Sequence, residues 1–294
     1  MTQSSTFQAL NSLSPEERKN LVTKVAGILR QQMHREMVPP ADECRGTWEN
    51  TGDLRTWSNQ VDRLGTDGTI PSSGSQMAKY IDHTLLKPTA TRKDIIKLCG
   101  EAREYGFASV CVNSSWIKIA AEDLAGCPTM AIAVVGFPLG AMATHSKAEE
   151  TRQAIRDGAE EIDMVINIGA LKGGDFDLVY DDICAVVKAA GGWPVKVILE
   201  TTMLTRDEKI TGCTISKAAK AHFVKTSTGF GGGGATIEDV LLMRSIVGEE
   251  MGVKASGGVR NAVDLQNMVK AGANRIGASA GIAIVSGKTS KSGY

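Results

Sequence analysis

Four charged side chains interrupt apolar runs that otherwise read as buried strands: Asp163 in EIDMVIN, Lys196 in PVKVILE, Lys225 in HFVKTST and Lys254 in GVKASG. A charged group inside such a strand is costly unless it is paired. An isolated strand lysine reads as half of a structural ion pair, here with Asp163. Three successive strands carrying Asp, Lys and Lys at similar depth read differently. Burial and a neighbouring cation each lower the pKa of an amine. A neutral amine is the nucleophile that Schiff-base chemistry with a carbonyl compound requires. The pattern points to an imine-forming enzyme. By itself it leaves open which lysine attacks and which acts as the neighbouring cation.

A second pattern suits phosphate. Lys225 to Phe230 (KTSTGF) leads into Gly231 to Gly234 and a helical run from Thr236; Ser256-Gly257-Gly258-Val259 and Gly277-Ala278-Ser279-Ala280-Gly281 follow later apolar runs. Any one of these segments reads as an ordinary tight turn. Together they suit backbone N–H groups closing on a phosphate beside helix N-termini.

No metal site is readable. The four histidines, His34, His83, His145 and His222, form no HxH or HExxH pair, and a metal-dependent route to the same carbonyl chemistry would need a histidine cluster. His83 reads as a core residue. The six cysteines are scattered without a CxxC, so zinc ribbons and a disulfide framework are not expected, and a reducing cytoplasm is. The formal net charge is zero, with no basic stripe for nucleic acid. No apolar run is long enough for a bilayer, and the opening MTQSSTFQALNSLSPEER has no charged leader before an apolar core, so no signal peptide is expected.

Elements of two kinds must position these residues. From Tyr80 onward, apolar runs of strand length alternate with helical runs. The strands are YIDHTLL from Tyr80, FASVCVN from Phe107, TMAIAVVGF from Thr129, EIDMVIN from Glu161, VKVILET from Val195, HFVKTST from His222, GVKASG from Gly252 and RIGAS from Arg275. Helical patterns include Thr91 to Tyr105, Asp175 to Ala190 and Thr236 to Val247. Eight such units predict an α/β fold, a (β/α)8 TIM barrel, with catalytic groups toward the C-terminal strand ends. A doubly wound open sheet would usually carry a GxGxxG turn after its first strand, and YIDHTLLKPT has none. Residues 1–76 differ and are expected to form an extension to a barrel over 77–294. Ser14-Pro15-Glu16-Glu17 reads as a capped helix start. Leu21, Val22, Val25, Ile28, Leu29 and Met33 follow at helical spacing until Pro39-Pro40. Ala41 to Ser75 reads as a loop-rich arm anchored by Trp48 and Trp57.

The segments YIDHTLLKP, SVCVN, EIDMVINIGAL, VKVILET, FVKTSTGF, GVKASGGVR and RIGAS, in this order, resemble the deoxyribose-phosphate aldolases. The resemblance runs from Tyr80 to the C-terminus and leaves out the extension. It implies a class I aldolase that reversibly cleaves 2-deoxy-D-ribose 5-phosphate to acetaldehyde and D-glyceraldehyde 3-phosphate. It implies that Lys196 forms the Schiff base, that Lys225 is the perturbing second lysine, and that Asp163 is the acid/base carboxylate acting through a water. It further implies that Asp82, Thr84, Cys111 and Thr201 line the substrate pocket, that Gly229, Gly257, Gly258 and Ser279 hold the phosphate, and that the C-terminal Tyr294 reaches the pocket to move a proton. Two positions depart from the family pattern: Ala280 replaces a second serine, and Ser114-Ser115 replaces a proline. No cofactor is implied. The partners expected are a small phosphosugar and aldehydes, with no nucleic acid or membrane, and a homo-oligomer, dimer or tetramer. A different Schiff-base or phosphosugar barrel, or a non-catalytic phosphosugar-binding barrel, would share the outline; the intact Asp163, Lys196 and Lys225 argue against the latter.

Overall fold

Successive side chains on a strand point to opposite faces, so a run such as MAIAVV, apolar at every position, needs cover on both sides. The computed structural model, which describes residues 69–290, provides that cover by closing eight parallel strands into a barrel. The strands are β1 (Ile81–Leu85), β2 (Ser109–Asn113), β3 (Met130–Val135), β4 (Glu161–Val165), β5 (Val195–Ile198), β6 (Phe223–Lys225), β7 (Gly252–Ser256) and β8 (Arg275–Ala278). Each pairs with its neighbours in sequence, and β8 closes on β1. The helices are α1 (Gly74–Ala78), α2 (Arg92–Tyr105), α3 (Ile117–Asp123), α4 (Thr144–Arg156), α5 (Ile168–Gly173), α6 (Phe176–Ala189), α7 (Arg206–Ala218), α8 (Ile237–Val247), α9 (Ala262–Lys270) and α10 (Gly281–Val285).

Every predicted apolar run holds one strand, and the predicted helix starts Thr91, Asp175 and Thr236 are N-caps whose side chains accept backbone N–H groups of the first turn. The strands are shorter than the runs. VKVILET is strand only to Ile198, and HFVKTST only to Lys225. The remaining residues leave the ladder at the C-terminal ends and build the mouth of the barrel.

Alternation sorts the strand residues into two sets. Ile81, Val110, Ala131, Ile162, Val197, Val224, Val253 and Ile276 face the helix layer and belong to the main core. Leu86, Cys111, Ile132 and Val134, with Phe137 against them, form a small separate apolar cluster, which lines the β1–β3 side of the lumen. The opposite side of the lumen carries the charged residues, with Phe223 at its foot. His83 faces the helices as a core residue: its ring packs 4.8 Å from that of Phe107, and Nε2 meets Glu101 at 2.8 Å.

Residues before β1 already belong to this body. Ser73 caps α1 through a capping box with Gln76. A Cβ at Gly74 would sit 2.3 Å from the carbonyl oxygen of Val285 in α10, and the Pro71 carbonyl accepts from Gln266 of α9 at 2.9 Å. The expected division at residue 76 thus falls inside α1. The helix predicted from Ser14, most of the arm, and Tyr294 lie outside the described residues.

The foot of the lumen is tightly filled. Gly252 lies opposite Phe223, and a Cβ there would come within 2.1 Å of the Phe223 ring. Gly252→Ala is expected to destabilise the barrel by roughly 1–3 kcal/mol through overpacking, measured as a lowered denaturation midpoint at unchanged m-value. An unchanged midpoint would show that the ring has room to move.

Candidate active site

Seven ionisable side chains from six strands converge in the lumen. Asp82 comes from β1, Glu161 and Asp163 from β4, Lys196 from β5, Lys225 from β6, Lys254 from β7 and Arg275 from β8. As whole residues, none is more than 2% exposed. Low-dielectric surroundings leave such groups stable only in contact with one another, and the contacts form one network. Arg275 pairs with Asp82 and, at 3.1 Å, with Glu161. Ser109 donates to Asp82 at 2.7 Å. Lys196 pairs with Glu161 and reaches Asp163 Oδ1 at 3.1 Å. The other oxygen of Asp163, Oδ2, accepts from both Lys225 and Lys254 at 2.7 Å each, and Lys254 also meets Asp82 at 2.5 Å.

The network has four cationic groups (Lys196, Lys225, Lys254, Arg275) and three carboxylates (Asp82, Glu161, Asp163). Fully ionised, it would bury one net positive charge. One neutral amine removes that excess. Arg275 cannot supply it, because a guanidinium keeps its proton, and its pKa is raised further: burial opposes the charge, but Asp82 and Glu161 outweigh it. Lys254 is held as a cation in the same way, burial being outweighed by Asp163 and Asp82. Lys225 shifts the opposite way. Burial lowers its pKa, Asp163 opposes, and Lys254 adds to the lowering. The carboxyls of Asp163 and Asp82 stay well below the usual range. Burial raises both, but Lys196, Lys225 and Lys254 overcome it at Asp163, and Arg275 and Lys254 do so at Asp82.

Depth in the barrel separates the lysines. On the β5–β6 ladder Lys196 faces Phe223, while Lys225 lies one pleat further toward the C-terminal mouth, opposite Ile198. Lys225 is level with Lys254 on β7. Lys196 also stacks over the Phe223 ring, 5.5 Å from its centroid. Its side chain has no exposure, whereas that of Lys225 keeps 3%. The geometry therefore favours a different division of roles from the sequence expectation, which gave the covalent bond to Lys196. Lys196 lies lower, saturated by Glu161 and Asp163; Lys225 has one carboxylate contact, the lowered pKa and the position nearer the mouth.

The other expected residues gather around this network unevenly. Cys111 is buried with its Sγ 4.0 Å from Asp163 Oδ2. Asp82 lies beneath the mouth, within the ion network. Thr84 donates to the backbone carbonyl of Asp82 at 2.8 Å. Thr201 is buried just past β5, and its hydroxyl has no hydrogen-bond partner among the described residues. Gly229, Gly257 and Gly258 all take positive φ, +86°, +83° and +80°, and the loops after β6 and β7 touch: the Ala235 N–H donates to the carbonyls of Ser256 and Gly257. Ser279 is exposed at the end of β8 and lines a cleft of about 390 Å3 shared with Thr84, Lys87, Thr89 and Glu101. None of the three lumen lysines lines that cleft, so it is a flank of the mouth and not the reacting centre. At the two departures, Ala280 supplies no side-chain cap to α10, and the Ser114 hydroxyl donates to Glu150, which also accepts the Gly136 N–H. Glu150 thereby ties the loops after β2 and β3 together.

Three network members had no role in the sequence reading: Lys254, Arg275 and Glu161. Lys254 was visible as a strand-interior charge, one step from Lys225 around the barrel. Arg275 and Glu161 open their strands and look from sequence like solvated ends. Among the described residues, no group of three or more His, Cys, Asp and Glu is arranged to hold a metal ion, and no helix is long and apolar enough to cross a membrane.

Fold and lumen together define a barrel enzyme equipped for amine–carbonyl chemistry. The profile of the DeoC/LacD family aldolases matches residues 76–289, and the chain belongs to that family. It is 59% identical over 219 residues to a deoxyribose-phosphate aldolase of Streptococcus gordonii, covering 74% of this chain and 100% of that protein. It is 58% identical over 217 residues to the deoxyribose-phosphate aldolase of Staphylococcus epidermidis, covering 74% of this chain and 99% of that one. Among solved structures, a deoxyribose phosphate aldolase of Aeropyrum pernix, described as tetrameric, superposes with a TM-score of 0.70 at 32% identity, covering 77% of this chain and 96% of that chain.

Burial pushes the Cys111 thiol up to about 11, so little thiolate forms near neutral pH. In the folded protein at pH 8, alkylation of Cys111 by iodoacetamide is expected to be at least about tenfold slower than in the unfolded chain, read by mass spectrometry of the peptide. Equal rates would place an open path to the lumen beside β2.

Proposed function

We propose that this aldolase reversibly cleaves 2-deoxy-D-ribose 5-phosphate to acetaldehyde and D-glyceraldehyde 3-phosphate, with Lys225 as the amine that forms the imine. The reaction follows from family membership and from relatives of that name matched over nearly their full length. The assignment to Lys225 rests on the excess of one cation over the carboxylates in the buried lumen, taken with the single carboxylate contact of Lys225 and its place nearer the mouth. It departs from the sequence expectation for Lys196.

Neutral Lys225 attacks C1 of the open-chain sugar, and the carbinolamine takes up one proton from water by way of Asp163 and loses water to give a protonated imine. That iminium restores the fourth positive charge, beside Asp163 Oδ2, whose ionised form stabilises it. Asp163, through a water, takes the proton of the C3 hydroxyl as the C2–C3 bond breaks; glyceraldehyde 3-phosphate is released, and the bonding pair passes into the enamine of acetaldehyde. That proton is returned to C2, and water hydrolyses the resulting iminium to acetaldehyde, neutral Lys225 and the proton taken up in the first step. Asp163 contacts both Lys225 and Lys254 through one oxygen, which suits it to pass protons between the bound intermediate and a water while Lys254 stays charged. Lys254 keeps its proton and holds Asp163 ionised. Lys196 fixes the second oxygen of Asp163 from below and acts as a positioning residue.

Gly229, Gly257, Gly258 and Ser279 form the rim that receives the phosphate, far from the breaking bond, where binding holds the sugar in register. Tyr294 remains a candidate for proton exchange at the enamine carbon. A homo-oligomer in the cytoplasm is the expected setting; the tetrameric Aeropyrum pernix structure supports the first part.

Borohydride reduction with acetaldehyde, followed by peptide mapping, is expected to place the ethyl adduct on Lys225, and Lys225→Met to abolish it. Lys196→Met leaves three cations against three carboxylates, so Lys225 holds its proton more firmly. Its pKa rises, and the rising limb of imine formation moves to higher pH, on the order of one unit. The adduct stays on Lys225. Finding the adduct on Lys196 in the wild type, or none at any pH in Lys196→Met, would return the nucleophile to Lys196.

A further inference from the structure

Glu200, the second residue after β5, has φ 56° and ψ 63°. Only Lys220 among the other described non-glycine residues has positive φ. The left-handed region is unfavourable for a side chain with a Cβ, and persists only where the surroundings enforce it. The side chain is also buried, 1% exposed. One carboxylate oxygen, Oε2, accepts the Thr228 N–H at 3.2 Å and the Thr228 hydroxyl as well; the other, Oε1, has no hydrogen-bond partner among the described residues. A strained, buried and half-satisfied carboxylate is a stability cost that calls for an explanation.

Its surroundings give one. The Thr228 hydroxyl also accepts the Phe230 N–H at 3.0 Å, so Glu200 fixes both sides of Gly229. The next glycines close over it in order. A Cβ at Gly231 would lie 2.6 Å from the Glu200 carboxyl carbon, one at Gly233 would lie 2.4 Å from Thr202 Cγ2, and one at Gly234 would lie 2.4 Å from the Gly257 carbonyl oxygen. The turn that Glu200 begins is therefore the floor on which the β6 loop rests, and that loop in turn rests on Gly257.

We propose that Glu200 is a positioning residue: its buried carboxylate sets the loop from Thr228 to Gly234 in the shape that presents Gly229 and Gly257 to the phosphate of the substrate. The proposal rests on the reading of the glycine rim as the phosphate site. Glu200 does not touch the reacting carbons. It acts through the hydrogen bonds of Thr228 and through the fit of the glycines.

The test compares kcat/KM for 2-deoxyribose 5-phosphate with kcat/KM for unphosphorylated 2-deoxyribose. Glu200→Gly keeps the left-handed backbone at no steric cost and removes the carboxylate. Glu200→Gln keeps an acceptor oxygen. Gly231→Ala pushes on the same carboxylate from the loop side. The phosphorylated-to-unphosphorylated ratio is expected to fall about tenfold or more in Glu200→Gly and Gly231→Ala, the size of a lost pair of charge-assisted hydrogen bonds, and to recover most of the way in Glu200→Gln. Trapping of acetaldehyde by borohydride, which involves no phosphate, is expected to stay within about twofold, because the lumen keeps its own network. A ratio unchanged in both Glu200→Gly and Gly231→Ala overturns the proposal. A parallel collapse of acetaldehyde trapping also overturns it, by reducing Glu200 to a general structural role. If Glu200→Gly does not fold, Gly231→Ala decides alone. A wild-type ratio near one overturns the rim reading itself, and this inference with it.

Discussion

The lumen of this barrel cannot solvate charge, yet seven ionisable side chains meet there. That constraint organises much else in the molecule. Each carboxylate oxygen is directed at an amine or guanidinium, and each of the six contributing strands must deliver its charged residue at the right pleat and depth. A slip of one residue in any strand would turn its charged group outward into the helix layer and leave its partners unpaired. The closed, fully paired barrel prevents such slippage. The apolar wall of Leu86, Cys111, Ile132 and Val134 faces the charged wall across the lumen and helps keep water scarce around it.

Within that constraint the uneven count of charges is what makes chemistry possible. A balanced network would have every amine protonated and inert as a nucleophile. With four cationic groups against three carboxylates, one amine is taken, on the proposed reading, to be relieved of its proton, and it is assigned to the lysine with the fewest carboxylate contacts, nearest the mouth. Stability and reactivity thus share a single cause. On the proposed assignment, the ion pairs that make the interior tolerable also leave Lys225 as the amine that sheds the excess proton.

The mouth follows a different rule. There the glycines after β6 and β7 pack so closely that side chains would collide with Thr202, Gly257 or the Glu200 carboxylate, which leaves backbone to face the proposed phosphate. The lumen is fixed by electrostatic pairing and the rim by steric fit, joined by the turn at Glu200. On the proposed reading, imine chemistry and phosphate capture draw on different parts of the same units, the strand ends of β6 and β7 and the loops that follow them.

Sequence alone determined the barrel, because eight apolar runs alternating with capped helical runs have few ways to bury themselves, and side-chain alternation is local. It also located Asp163, Lys196, Lys225 and Lys254 as charges inside apolar strands, and the positive-φ turns at Gly229, Gly257 and Gly258 through their glycines. It did not rank the lysines. Depth in a barrel depends on the stagger between strands, and a lysine on β5 and another on β6 look equivalent until the ladder sets Lys196 opposite Phe223 and Lys225 opposite Ile198. Nor did it reveal Glu161 and Arg275, since a charge at a strand end looks solvated until the opposite wall is known, or Glu200, whose backbone conformation is imposed by Thr228 and the glycines around it. Which residues are charged and buried is written locally. Which of them meet, and so which one gives up its proton, is a property of the closed ring, where each pKa depends on partners from five other strands.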